Sequence, residues 1–347
     1  LLASIRFREQ RGSREVLIEA LSSLLAICLL LGCSGEDSTL LRVYHAGSLC
    51  VPFQRLEAAF EAGHPAVDVR RQALGSAEAI RQVTELGKPA DIVASSDYQL
   101  IDRLMIQTPQ PKASWNLLFA RNAICIAYRS GALPSTTADW AAALKRAGVR
   151  VGISNPNNDP CGYRSLMALY LAQERLKIAD VFDAVILRNS NISVERDGGR
   201  AVIRVPTSLS FRGSLVMRAK ETDLVALLQS GALDCLLIYR SIAVQQGLAF
   251  VELPAEASLG SPDLEGLYSG ASVRLFADGE GCAVEVAGGP ILYGITIPHG
   301  APQPELAREF VELLLSERGR AIVEGCGQQP LWPPAYSRAS SRGGLPF

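Results

Sequence analysis

The stretch LRVYHAGSLCVPFQRLEAAFEAGHPAVDVRRQALGSAEAIRQVTELGKPADIVASSDYQLIDRL, residues 41–104, decides the fold class. It opens with a short apolar strand at 41–44. Residues 51–62 then carry Phe53, Leu56, Ala59 and Phe60 at helical spacing, because positions three or four apart share one helix face. A second strand at 67–71 leads into a helix over 76–86, with Ile80 and Val83 inward. A third strand, 91–94, precedes a helix near 98–104. Strand and helix in alternation predict a parallel sheet with crossover helices.

Downstream the pattern restarts. Residues 122–128 (NAICIAY) form a longer apolar strand, 140–147 a helix, 149–153 a strand and 163–176 a strongly amphipathic helix. A helix at 222–228, a strand at 236–239 and a late strand at 291–297 follow, then a helical region over 304–324 broken near Gly319. The polar, basic stretch 189–220 reads as an irregular loop or hairpin. Two successive α/β modules suggest two lobes with a cleft between them. The first comprises 41–121 with about 298–338, the second 122–297.

The chain has 347 residues, 48% of them hydrophobic and 20% charged, and a net charge of -1. This is ample for one large core or two moderate ones. No basic excess points to nucleic acid. At the N-terminus, Arg6, Arg8, Arg11 and Arg14 precede the apolar segment 16–31, which ends in Leu30-Leu31-Gly32-Cys33. A charged region, a short apolar run and small residues at a cut describe a secretory signal over 1–33, with 34–40 as a polar linker. The apolar run is shorter than the ~20 residues of a membrane span, and Glu19 interrupts it. None of the eight cysteines forms a CxxC pair, so neither a zinc nor a redox motif is expected. Most read as small core residues.

The residues that carry chemistry are small and polar and stand at helix starts. Gly47-Ser48 follows the first strand, and Gly75-Ser76 precedes the second helix. NPNNDPCG (155–162) precedes the helix of Tyr163, and Lys220-Glu221-Thr222 that of Leu224. In parallel α/β sheets such turns lie at the carboxyl ends of strands, where ligands bind. Helix starts present unpaired N–H groups and the positive end of a dipole, a ready anion site. Each signal also has an ordinary reading. A serine before a helix is usually a cap, Asn-Pro-Asn-Asn-Asp-Pro a turn, an early glutamate a dipole complement, and Tyr239 a core residue.

Together, HAGSL (45–49), LGSAEAIRQVTELGKPADIVASSDY (74–98), ISNPNNDPCGYRS (153–165), LLIYRSIAVQQGL (236–248) and ILYGITIP (291–298) resemble the molybdate/tungstate-binding proteins of ABC transporters, especially the tungstate-type subfamily. The likeness runs in order from about 41 to 331. It implies a type II periplasmic-binding-protein fold, two lobes with the ligand cleft between them. It further implies an extracytoplasmic protein, lipidated at the lipobox Cys33 and so tethered to the membrane, that acts as a monomer with a permease and an ATPase. No cofactor is implied, only the ligand molybdate or tungstate.

By position, the resemblance assigns ligand contacts to Ala46, Gly47, Ser48, Ser76, Asp159, Pro160, Cys161, Glu221 and Tyr239. The two serines would donate hydroxyl and backbone N–H bonds, Cys161 its backbone and Tyr239 its phenol. In the tungstate-type subfamily two carboxylates also approach the metal centre of the oxyanion; Asp159 and Glu221 hold those positions. Where the family commonly has two consecutive acids, this chain has Asn158-Asp159. Acids beside a dianion need a physical reason. A like-charge pair at 4 Å costs about 4 kcal/mol at an effective dielectric near 20, and a dianion about doubles that. Carboxylate oxygens bonded directly to Mo(VI) or W(VI) would offset the repulsion, and protonation would relieve it. That favours a transition-metal oxyanion over sulfate or phosphate.

Other functions fit less well. A ferric site wants several converging Tyr, His or carboxylate ligands, and only one tyrosine and His45 are candidates. A hydrolase could pair Cys161 or a serine with His45, but no G-x-S-x-G elbow is present and the chain holds three histidines. The reading is therefore a binding protein and not an enzyme.

Overall fold

The computed structural model describes residues 38–132, 140–197, 200–276 and 283–340. The segment read as signal and lipidation site, with Cys33, lies outside them. Among the described residues no helix is long and apolar enough to cross a membrane.

Three sheets organise the chain. The first has six strands in the order β15 (Gln329–Tyr336), β4 (Leu117–Asn122), β14 (Ile291–Thr296), β3 (Ile92–Ser95), β1 (Thr39–Ala46) and β2 (Val67–Leu74). The second has five: β11 (Ala249–Glu252), β5 (Ile124–Tyr128), β10 (Cys235–Tyr239), β6 (Val151–Ser154) and β9 (Leu215–Arg218). The third has four: β13 (Ala283–Ala287), β12 (Ala271–Phe276), β8 (Arg200–Arg204) and β7 (Ser193–Asp197). Strands β3 and β10 bury every residue, as strands covered on both faces do.

Helix α1 (Cys50–Glu61) turns Phe53, Leu56, Ala59 and Phe60 into the core. Two of these rings meet Phe310 of the C-terminal helical region, at centroid distances of 6.0 Å for Phe53 and 5.4 Å for Phe60. Large aromatics of this kind contribute about 1.5–3 kcal/mol each on burial. A smaller cluster of Ile80, Val83, Val93, Ile101 and Met105 forms a second core. The α/β alternation that the sequence predicts is present, with five corrections.

The sheets are mixed, not all parallel. β1 runs parallel to β2 and β3, and β6 to β9 and β10, but β14 is antiparallel to β3 and β4, and β5 to β10 and β11. These antiparallel pairs arise where the chain changes sheet. The strand expected over 122–128 is β5, which starts at Ile124 in the second sheet; Asn122 instead ends β4 of the first sheet, with Ala123 alone between them. Asn122 Oδ1 accepts the Ala123 N–H at 2.9 Å, which removes that donor from the ladder and marks the change. Strand β14, grouped with the second module in the sequence reading, is hydrogen-bonded into the first sheet; the chain has therefore returned before Ile291. The terminal helical region breaks at Ser316, not near Gly319. Ser316 leaves the helix at φ -62°, ψ 166° and its side chain caps the next one by accepting the Gly319 N–H. Finally, the stretch 189–220 contains the β7–β8 hairpin, which pairs with β12 and β13 into a sheet that polar, alternating sequence did not disclose.

Candidate functional site

Neither serine is a helix cap. Ser48 lies in the tight turn Gly47–Leu49 that follows Ala46 at the end of β1, and no side chain caps either that turn or α1. Instead its Oγ accepts a hydrogen bond from the Tyr293 hydroxyl at 3.0 Å, and its carbonyl accepts Gln328 Nε2 at 2.9 Å. Tyr293 accepts in turn from Asn122 Nδ2 at 2.8 Å. A phenol has one hydrogen, and Tyr293 spends it on Ser48, so the Ser48 hydrogen is left for another acceptor. Ser76 opens helix α2 (Ser76–Thr84), whose cap position is Gly75. Its Oγ is 2.9 Å from Ser96 Oγ and accepts the Ser96 N–H at 3.2 Å.

Asp159 and Glu221 come from two further helix starts. Asp159 caps α3 (Pro160–Arg175): its Oδ1 accepts the Cys161 N–H at 3.0 Å, with Pro160 at the first turn. Its Oδ2 accepts the N–H of Glu221, first residue of α4 (Glu221–Gln229), at 2.9 Å. One carboxylate thus joins two helix N-termini 62 positions apart. The Cys161 N–H, which the sequence reading gave to the ligand, is taken by Asp159. Gly162 lets this turn pack on β6, since a Cβ there would stand 2.4 Å from the Ser154 carbonyl oxygen. Burial pushes the Glu221 carboxyl well above the usual carboxylate range, and the charge of Asp159 and a hydrogen bond to it push it further. The Cys161 thiol is raised by burial and then by both acids. A thiol held neutral is a poor nucleophile, and His45 is bonded instead to the Ala46 carbonyl and to Arg71. The imagined Cys161–His45 hydrolase pair therefore has no support in the geometry.

Tyr239 ends β10, and its hydroxyl accepts Arg164 Nη1 at 2.7 Å. Arg164 is the residue that the sequence reading passed over, together with Ser96 and Asp97. Its guanidinium also donates to the Ser96 carbonyl at 2.8 Å and lies 3.5 Å from Asp97 Oδ1. The Tyr163 hydroxyl donates to Asp97 Oδ2 at 2.6 Å. A signal for Arg164 existed: positions 160–172 of α3 are all buried, and a charge within such a run must have a partner.

These bonds run from Ser76 through Ser96, Arg164 and Tyr239, and separately through Asp159, Cys161 and Glu221; Ser48 is held by Tyr293 and Asn122. Gly75 marks where the two parts of the molecule approach, as a Cβ there would lie 3.4 Å from the Asn158 carbonyl oxygen. Beside this contact a groove of about 250 Å³ has Asp159, Pro160 and Tyr163 on one wall and Ala77, Leu100 and Arg103 on another. A larger cavity of about 530 Å³ lies away from these residues, at the sheet crossover near Asn122, Arg240 and Glu252. Among the described residues no group of three or more His, Cys, Asp or Glu is placed to hold a metal ion alone. The set offers hydroxyl groups and two carboxyl groups that meet at adjoining helix starts.

The bacterial extracellular solute-binding protein family matches residues 41–328. The chain belongs to this family. A solute-binding protein of Methanoculleus marisnigri is 41% identical over 297 residues, covering 84% of this chain and 82% of that one. The molybdate/tungstate-binding protein WtpA of Pyrococcus abyssi is 38% identical over 336 residues, covering 90% and 93%. Among solved structures, the periplasmic molybdate-binding protein of Azotobacter vinelandii superposes with a TM-score of 0.57 at 16% identity, covering 84% of this chain and 99% of that one. The sulfate-binding protein SubI of Mycobacterium tuberculosis gives 0.55 at 15%, covering 85% and 88%. At such identities the structures establish the fold, that of the periplasmic binding proteins. The solute-binding family places the protein outside the cytoplasm, and the named relatives are binding proteins, not enzymes.

Proposed function

We propose that this solute-binding protein captures molybdate or tungstate and delivers it to the permease and ATPase of an ABC transporter, as a monomer tethered through a lipid on Cys33. The observation that carries the reading is the buried Asp159–Glu221 pair in a site otherwise built from hydroxyl and backbone donors. A site for sulfate gains nothing from carboxyl groups, whereas a metal centre that expands its coordination gains ligands. The relative named as a molybdate/tungstate-binding protein supports the same ligand. Ser48, Ser76 and Tyr239 would donate to the oxyanion oxygens, with the backbone of Ala46, Gly47, Pro160 and Cys161 shaping the turns. Asp159 and Glu221 would bond to Mo or W. Both Asp159 oxygens already accept an N–H, but each keeps a further lone pair.

Calorimetric titration with molybdate, tungstate, sulfate and phosphate tests the reading, run on the wild type and on Glu221→Gln. If Glu221 ligates the metal, the variant binds tungstate at least about tenfold more weakly, about 1.4 kcal/mol, and binds sulfate no worse. If Glu221 merely stands near a hydrogen-bonded dianion, both anions bind more tightly and the metal-ligation reading fails. Preference of the wild type for sulfate or phosphate would overturn the ligand assignment.

A further inference from the structure

We infer that Arg164 is a positioning residue: with Asp97 and Tyr163 it latches the end of β3 to the start of α3 when the two large sheets close on a ligand, and it turns the Tyr239 hydroxyl hydrogen toward that ligand. The inference rests on the reading of the site as an anion cleft.

The four groups belong to different sheets. Ser96 and Asp97 follow β3 of the first sheet, whereas Tyr163 and Arg164 sit on α3, which packs on the second. Three links join them: Tyr163 to Asp97 at 2.6 Å, Arg164 to the Ser96 carbonyl at 2.8 Å, and Arg164 to Asp97 at 3.5 Å. Asp97, Tyr163 and Arg164 are at most 5% exposed. A buried cation is tolerated only with its partners in place, so these charges are satisfied in this arrangement or in water, and in nothing between. The cavity against them is about 10 Å³, at most about one water, too little to hydrate a guanidinium. Parting of the sheets is then what breaks the latch.

The second half concerns direction. A guanidinium only donates, so in the 2.7 Å contact the Tyr239 oxygen is the acceptor. The single phenol hydrogen is thereby left for a third atom. Arg164 thus fixes the polarity of a candidate ligand contact without touching the ligand, and its own position is fixed by Ser96 and Asp97 across the junction.

Calorimetry with tungstate, melting of the ligand-free protein and small-angle X-ray scattering test this in Arg164→Gln and in the milder Tyr163→Phe. The expected tungstate Kd rises at least about thirtyfold for Arg164→Gln and about fivefold for Tyr163→Phe. Both ligand-free proteins melt as the wild type does, because an open molecule has its latch in water, and tungstate compacts the wild type more than the variants. Tyr239→Phe weakens the wild type but adds nothing to Arg164→Gln. A fall in ligand-free melting temperature with Kd unchanged would make the network plain scaffolding and overturn the latch while leaving anion binding intact. If the wild type binds none of the four anions, the site reading falls and the latch with it.

Discussion

Two buried carboxyl groups in this molecule meet opposite treatment. Asp97 receives a phenol, a guanidinium and the Gln99 N–H. Glu221 faces another acid across the starts of two helices and is held toward its protonated form by burial and by that neighbour. Where the protein supplies a cation the acid is complete; where it supplies a second acid, ionisation is disfavoured and the pair carries an electrostatic deficit. Under the proposed reading, a ligand that brings a metal centre would fill that deficit.

Removing the completed acid should do the most harm. Asp97→Ala leaves Arg164 unpaired in the closed protein, about 3–5 kcal/mol by analogy with other broken buried pairs, which tungstate titration reads as a Kd weakened by about two to four decades. The next largest effect is at a third buried group, His45. Burial holds its pKa down to about 4 against an ordinary 6.5. The unfolded chain therefore takes up this proton near pH 6.5 and the folded one only near pH 4. Stability is unaffected above that window and falls by about 3 kcal/mol as pH drops through it. Urea unfolding across pH 4–7 measures the loss, and His45→Gln should flatten it.

Glu221 gives the opposite slope. Its folded pKa lies above the ordinary carboxyl value of 4.5, so its contribution is present below that pH and is lost as pH rises through the folded pKa. Ligand-free Glu221→Gln should show a shallower decline toward alkaline pH than the wild type; equal slopes would mean the proton is not held there. Ser76→Ala should be mildest, because it removes one acceptor from the Ser96 N–H. About 1 kcal/mol of tungstate affinity is expected to go, with Ser96→Ala a comparable loss.

Much of this is legible in the amino-acid sequence. The 3.6-residue spacing of Phe53, Leu56 and Phe60 placed α1, and the small polar residues marked the strand-to-helix turns where Ser48, Ser76, Asp159 and Glu221 stand. What escaped had physical reasons. Asn122 opens the apolar run NAICIAY, and its bonds to the Ala123 N–H, Ser241 and Tyr293, two of them long-range, show where β4 stops. A hairpin within 189–220 was among the expectations, but its pairing with β12 is a long-range contact, and β14 likewise joins the first sheet through pairings that periodicity does not encode. Arg164 and Asp97 were hidden differently. Sixty-seven positions separate them (164 − 97), and neither looks like a ligand contact, because each is aimed at the other.

Cys50 leads to a different kind of consequence. It is exposed and free two positions after Ser48, whereas Cys125, Cys161, Cys235 and Cys326 are buried. Burial pushes all four of those thiols up, Cys235 to about 12, and thiol-directed reagents attack the thiolate. In a chain beginning at residue 34 and carrying Cys282→Ser, a maleimide dye should therefore couple to Cys50 at neutral pH without unfolding the protein. The native sequence holds a built-in attachment point for a fluorescent sensor, one turn from the candidate anion site, whose signal would report occupancy in real time.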